Sequence, residues 1–246
     1  MSDLEKRIIE YCKDFNIPLK YLFEILEDQK VVPMIRGKAT EYNAFMYLQG
    51  NLASMVWDVQ KINLHAQNNI YDEDISITHR RTGIRLKVES KNACRGSFST
   101  GKRSKIYHEP HFKVKCHRSR SNIQKADTTN DRYIVGEFDL LVCNPSNALY
   151  EGSTIDEKLQ VIDNSEMIQI LYEHYNVHND ADLIEKCNND WRFAIPKDIA
   201  NVDESIPRTP YVLLSNDKKW FDVRDLESRL LDVVKEYAQA RSKKKR

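Results

Sequence analysis

The sequence predicts a mixed α/β (α+β) fold, a mixed β-sheet flanked by helices. Three observations predict it. Apolar residues recur at helical spacing through the first 56 positions. The spacing then switches to strict alternation over 74–92, and beyond that short apolar runs alternate with helical stretches. A chain of 246 residues is the size of one large domain or one domain with appendages. The pattern divides it into a single domain over 1–240 and a basic tail over 241–246. Within the domain it gives a helical segment over 1–37, a core over about 38–145, and C-terminal strands and helices over 146–240.

Each element has its own justification. Residues 3–13 read as a helix with Leu4, Ile8, Ile9 and Cys12 on one face. A second helix over 18–28 follows Pro18, whose fixed φ suits a helix start. A third opens at Thr40 as N-cap, with Phe45, Leu48, Leu52, Met55 and Val56 as its apolar stripe and Gly50 as its weak point. Residues 74–79 and 83–92 read as strands, and 133–143 (YIVGEFDLLVC) as a buried one. Helices are expected over 164–175 and 181–187, and short strands over 191–195 and 210–215. A final amphipathic helix over 222–240 turns Leu226, Leu230, Val233, Val234 and Tyr237 inward. The tail after Ala240 reads as frayed. The stretch 95–132 has few apolar residues and reads as a long loop, a feature uncommon outside functional segments.

Composition excludes several classes. The chain is 41% hydrophobic and 9% aromatic, enough for a sizeable core. It contains no run of about 18 apolar residues, so no spanning helix is expected. The segment MSDLEKRIIEYCKDF lacks the apolar stretch of a secretory signal. The expected location is the cytoplasm of a bacterial or archaeal cell. Five widely spaced cysteines without a CxxC pair argue for free thiols, not a disulfide framework. Cys94, His108, His111, Cys116 and His117 have zinc-binding chemistry, but their spacing matches no short knuckle. His174 and His178 stand four apart without the glutamate of a metallopeptidase helix, and read as surface residues.

The net charge of +1 conceals an asymmetry. Residues 79–125 carry 14 Lys and Arg against two acids, Glu89 and Glu109, and the terminal RSKKKR adds five cations. The remainder holds 19 bases against 35 acids. A basic block inside an acidic body is the footprint of a polyanion partner; its bland alternative is a solvated charged loop.

The segment 74–91, DISITHRRTGIRLKVESK, carries the chemistry. Ile75 and Ile77 share one face of the first strand; Ile84, Leu86 and Val88 share one face of the second, with Arg85, Lys87, Glu89 and Lys91 opposite. A turn at Arg81-Thr82 pairs Ile75 with Val88 and places Asp74 opposite Glu89. A turn at Thr82-Gly83 places Asp74 opposite Lys91. Both keep the apolar faces in phase, whereas a one-residue slip mixes them. Carboxylates facing each other across a strand pair, about 5 Å apart at Cβ, repel, and so raise one pKa or demand a cation. Lys91 supplies one positive charge. One or two carboxylates with waters left over suit Mg²⁺, which activates water and stabilises a pentacovalent phosphate. Lys91 is placed to orient or deprotonate that water and to stabilise developing charge. The alternative is a plain cross-strand salt-bridge ladder.

These residues resemble the PD-(D/E)XK nuclease superfamily, especially type II restriction endonucleases. Asp74 matches the first acid and Glu89-Ser90-Lys91 the second element, and the likeness covers about Thr40 to Asn144. It implies a restriction-endonuclease-like core and Mg²⁺-dependent cleavage of double-stranded DNA, with Asp74, Glu89 and the Ser90 backbone carbonyl as metal ligands and Lys91 catalytic. In that family the preceding helix often contributes a glutamate. Glu41 is the candidate here, and its alternative is a first-turn acid favoured by the helix dipole. Glu73 stands where the family name places proline, which makes Asp72 a rival for Asp74. A homodimer is expected from the symmetry of duplex cutting alone.

The basic block follows directly. Arg95, Lys102, Arg103, Lys105, Lys113, Lys115, Arg118 and Arg120 are the candidate DNA contacts, for phosphates or guanine edges. Asp139 reads as structural, and Glu137 is no better supported as a ligand. The other reading of the whole is a non-catalytic DNA-binding protein that uses 79–125 alone.

Overall fold

The structure is a computed structural model that describes residues 1–62, 73–102, 108–118, 131–152, 159–215 and 217–244. The chain divides into two compact units, Met1–Ala39 and Thr40–Arg246. No helix among the described residues is long and apolar enough to cross a membrane.

The first unit is helical. α1 (Asp3–Asp14) is fixed at its start by a capping box, in which the Glu5 amide donates to Ser2 Oγ and the Ser2 amide donates to the Glu5 carboxylate. Cys12 is buried and Ile8 and Ile9 are half-buried, but Leu4 from the predicted stripe is exposed. The expected second helix is a 3₁₀ turn (Leu19–Tyr21) followed by the short α2 (Leu22–Leu26).

α3 (Val32–Asn51) begins well before Thr40. Pro33 sits in its first turn, where a missing N–H costs nothing because that donor has no intrahelical partner. Thr40 is therefore not a cap. Its hydroxyl bonds the Asn92 side chain instead. Ala44, Leu48 and Leu52 form the buried stripe, Phe45 and Val56 pack beside it, and Met55 is exposed rather than inward.

The second unit is built on a five-stranded sheet. β1 (Trp57–Lys61), β2 (Ile75–His79) and β3 (Ile84–Ser90) form an antiparallel meander. β4 (His111–Lys113) lies outside the sheet. β5 (Leu140–Cys143) pairs parallel to β3, and β8 (Arg192–Ala194) pairs antiparallel to β5. The order is β1-β2-β3-β5-β8, which makes the sheet mixed, as expected. β6 (Tyr150–Gly152) with β7 (Leu159–Val161), and β4 with β9 (Tyr211–Leu213), are two small ribbons.

One sheet face buries Ile75, Ile77, Leu86, Val88, Leu140 and Val142 against α3 and the C-terminal helix. The other turns Leu141, Cys143 and Ala194 toward a second core that includes Met167, Leu171, Leu183 and Cys187. Those four lie on α4 (Ser165–Tyr175) and α5 (Asp180–Asn189), each capped by an asparagine, Asn164 and Asn179. A short α6 (Pro196–Ile199) precedes the last helix, α7 (Val223–Lys244). α7 buries Leu226, Leu230, Val233 and Val234 as its period requires and stays helical past Ala240.

The sequence 133–143 is not one strand: only Leu140–Cys143 is extended in the sheet. Gly136 takes φ +97°, which breaks the strand. Asp139, just before β5, starts the β3–β5 pairing, its carboxylate accepting from the Lys87 amide at 2.8 Å while its own amide donates to the Lys87 carbonyl. The Tyr237 hydroxyl bonds the same carboxylate. The long loop expected over 95–132 contains β4 in its described part.

Candidate active site

The site grows from the register of one hairpin. Ile75 pairs with Val88, Ile77 with Leu86 and His79 with Ile84. The same phase continued by one step puts Asp74 opposite Glu89, the first of the two registers the sequence allowed. The connection is a four-residue loop, Arg80–Gly83, closed by the Gly83 amide on the His79 carbonyl at 2.9 Å. Gly83 carries the left-handed backbone, φ +63°. A two-residue turn of the favoured type needs positive φ at both central positions, which Arg81 and the β-branched Thr82 resist. The glycine just after them takes that conformation instead.

Beyond the last paired residue, Asp74 folds back on the second strand. Its Oδ2 accepts from the Ser90 amide at 2.9 Å. Glu89, buried, points to the same side of the sheet as Asp74. Its Oε1 receives Lys91 Nζ at 2.6 Å and the Tyr133 hydroxyl at 2.9 Å. Lys91 Nζ also donates to the Tyr133 oxygen at 3.1 Å and lies 5.0 Å from the centre of that ring. Glu89, Lys91 and Tyr133 therefore form a closed triangle. The Arg118 guanidinium lies 5.4 Å from the centre of the same ring.

Glu41 enters from α3. Its Oε2 receives Lys61 Nζ at 3.0 Å, and Lys61 Nζ also donates to the backbone carbonyl of Asp74 at 2.8 Å. Because α3 starts at Val32, Glu41 lies in the body of the helix, and the first-turn dipole explanation for it falls away.

The electrostatics follow from this crowding. Asp74 has its pKa pushed up to about 8, first by burial, then by the charges of Glu89 and Glu41; the Ser90 amide and Lys91 only partly offset them. Burial works against a charged Lys91, but the Glu89 carboxylate and then Tyr133 outweigh it, and its pKa lies above the ordinary lysine value. Tyr133 is raised by burial and then by Glu89.

Among the described residues, no group of three or more His, Cys, Asp or Glu side chains is spaced to hold a metal ion. Magnesium needs fewer: one or two carboxylates, with waters and substrate oxygens completing the octahedron. Asp74 and Glu89 provide that donor set: two carboxylates on one side of the sheet, one bonded to the Ser90 amide and the other to Lys91. The residues present fit Mg²⁺.

The zinc grouping does not assemble. His111 is buried with Nδ1 at the Glu109 carbonyl, 2.8 Å away, and its ring lies edge-on to Tyr211. Cys116 is buried in the second apolar core, and none of these residues belongs to a group of three or more ligand-type side chains among the described residues. His108 is exposed.

The predicted basic contacts fall into three sets. Arg95 and Lys115 are exposed, and Lys102 is exposed in an ion pair with Glu166. Lys113 is half-buried, its Nζ 5.5 Å from the centre of the Tyr211 ring, and Arg118 is largely withdrawn from solvent in an ion pair with Glu137. Arg103, Lys105 and Arg120 lie outside the described residues, as does Asp72. Glu73, at the family's proline position, is buried in an ion pair with Arg85.

Sequence reasoning missed Lys61 and Tyr133. β1, which carries Lys61, reads WDVQK, too polar to register as a strand, and Tyr133 was absorbed into an apolar run. A lysine on the neighbouring strand, 13 positions before the acid, leaves no spacing signal.

No family model and no curated protein matches the chain. Among solved structures, a bacterial homing endonuclease superposes at 17% identity with a TM-score of 0.31, covering 87% of this chain and 98% of that chain. The likeness is too distant to carry function, which has to be read from the site's own residues.

Proposed function

We propose that this chain is a Mg²⁺-dependent endonuclease of the type II restriction kind, hydrolysing phosphodiester bonds of double-stranded DNA as a homodimer. The observation that carries the reading is the convergence of Asp74, Glu89 and Lys91. One acid is bonded to the backbone between the other two residues, at the end of a hairpin and beside a basic segment. A plain salt-bridge ladder needs neither burial nor a surplus carboxylate.

Asp74, Glu89 and the Ser90 backbone carbonyl are the groups that would hold the ion. When bound, Mg²⁺ supplies a water of lowered pKa and positive charge for the pentacovalent phosphorus. Lys91, kept as an ammonium by Glu89, is a donor and not a proton acceptor. It orients the attacking water and takes charge developing on the phosphate oxygens. Asp74 holds a proton near neutral pH in the metal-free protein and releases it on becoming a ligand. Exposed cations of the basic segment supply phosphate contacts.

Plasmid DNA incubated with the protein and Mg²⁺ is expected to be cut, and sequencing the ends gives the site. Glu89→Ala should lower cleavage on the order of a thousandfold while fluorescence anisotropy shows DNA binding retained. Cutting that survives Asp74→Ala combined with Glu89→Ala sinks the assignment. Salt-sensitive binding without cleavage in any divalent metal identifies the non-catalytic DNA-binding protein instead. Light scattering of the DNA complex checks the dimer.

A further inference from the structure

We infer that Lys61 is a positioning residue of this site: its ammonium is the resident cation of Glu41, so that Glu41 braces the strand that presents Asp74 and each chain takes up one divalent ion. The inference rests on the metal-dependent reading above and adds to it a residue that the sequence motif does not contain.

Lys61 is the last residue of β1 and pairs with Ile75. That register brings Nζ to the carbonyl of Asp74 at 2.8 Å, and the same nitrogen meets Glu41 Oε2 at 3.0 Å. The lysine side chain is 7% exposed and the glutamate 14%. A lysine ammonium withdrawn from water this far persists only with partners, since desolvation of the charge is otherwise prohibitive. The Tyr42 ring, 5.7 Å from Nζ, adds a weaker one. The consequence for Asp74 is mechanical. Its backbone is held by Lys61 and its carboxylate by the Ser90 amide, so the acid is aimed before any ligand arrives.

The charge balance points the same way. Glu41, Asp74 and Glu89 are three carboxylates, and Lys61 and Lys91 are two ammoniums. Fully ionised, these five described residues carry one net negative charge. One divalent ion reverses that sign, and a second would enter against like charge with Glu41 already engaged. Glu41, which sequence resemblance nominates as a catalytic acid, is thereby assigned to the scaffold of the site.

The test is a Mn²⁺ titration by calorimetry together with a cleavage assay, on the full chain. The wild type should bind one Mn²⁺ per chain. Lys61→Met should lose cleavage about tenfold or more, as outer-sphere substitutions do, in kcat and not in KM for DNA. It should also gain a second Mn²⁺ per chain that disappears when Glu41→Gln is added. Lys61→Arg should recover most of the lost rate. If Lys61→Met fails to fold, the paired variant Lys61→Met with Glu41→Leu removes both buried charges together, and it should fold and bind one Mn²⁺. Two Mn²⁺ per wild-type chain, or a Lys61→Met protein with undiminished cleavage and unchanged stoichiometry, overturns the inference and leaves the nuclease reading standing. A wild-type chain that neither binds Mn²⁺ nor cuts overturns both.

Discussion

Two lysine–carboxylate pairs border Asp74, and they differ in how the chain makes them. Glu89 lies on β3 and Lys91 just past its end, two positions apart, closed by the Tyr133 hydroxyl. Glu41 and Lys61 come from α3 and β1, closed by the backbone carbonyl of Asp74. The first pair faces a side-chain partner that can be exchanged; the second is anchored to main chain. The comparison teaches that chemistry and support look alike as ion pairs and part company in their third partner. The Asp74 carbonyl ties Lys61 to main chain, whereas Lys91 is held by two side chains, and on the nuclease reading it exchanges one of them for a phosphate.

The contrast also explains what was legible. Glu89 and Lys91 could be read because period-two alternation fixes which side chains share a face, and the apolar residues Ile75, Ile77, Leu86 and Val88 fix the register. Lys61 could not, because its meaning depends on an edge strand with only two apolar residues and on a helix whose true start lies at Val32. The layered architecture was legible from periodicity. The extent of the buried strand was not, because Gly136 breaks an apolar run by backbone geometry and not by polarity.

The largest expected effect breaks the comparison at the acid between the two pairs. Asp74 titrates near 8 in the folded protein, against an ordinary carboxylate value below 4 when unfolded. Between those values the folded state holds a proton that the unfolded state has lost. Stability of the metal-free protein therefore falls as pH rises from about 4 to about 8, by up to about 1.4 kcal/mol per pH unit. Below this window Asp74 contributes no slope. Urea denaturation in a chelator at several pH values should show that decline, and Asp74→Asn should flatten it. An equal slope in both proteins would mean that Asp74 is not buried beside Glu89 and Glu41 as described.

A smaller effect sharpens the difference in third partners. Tyr133→Phe removes one hydroxyl from both Glu89 and Lys91. Cleavage should fall about tenfold, and folding stability should drop by about 1 kcal/mol, the usual worth of a hydrogen bond. Tyr42 offers Lys61 its ring face at 5.7 Å, a contact that Phe preserves, so Tyr42→Phe should change cleavage by no more than about twofold. Equal losses from the two variants would erase the distinction between the pairs.

The smallest effect on the fold comes from a pair that resembles neither. Lys102 and Glu166 are joined at the surface, with side chains 72% and 52% exposed. Water screens such a pair, and Lys102→Ala should alter stability by no more than about 0.5 kcal/mol. The same substitution removes a cation from the basic segment. If Lys102 exchanges Glu166 for a DNA phosphate, binding should weaken evenly across sequences, and the slope of log affinity against log salt should drop by about one. An unchanged slope would place Lys102 outside the DNA contact. Of the candidate contacts among the described residues it would leave Arg95 and Lys115, which are exposed, to meet phosphate, because Lys113 is half-buried against Tyr211 and Arg118 is already committed to Glu137 and the Tyr133 ring beside the acids.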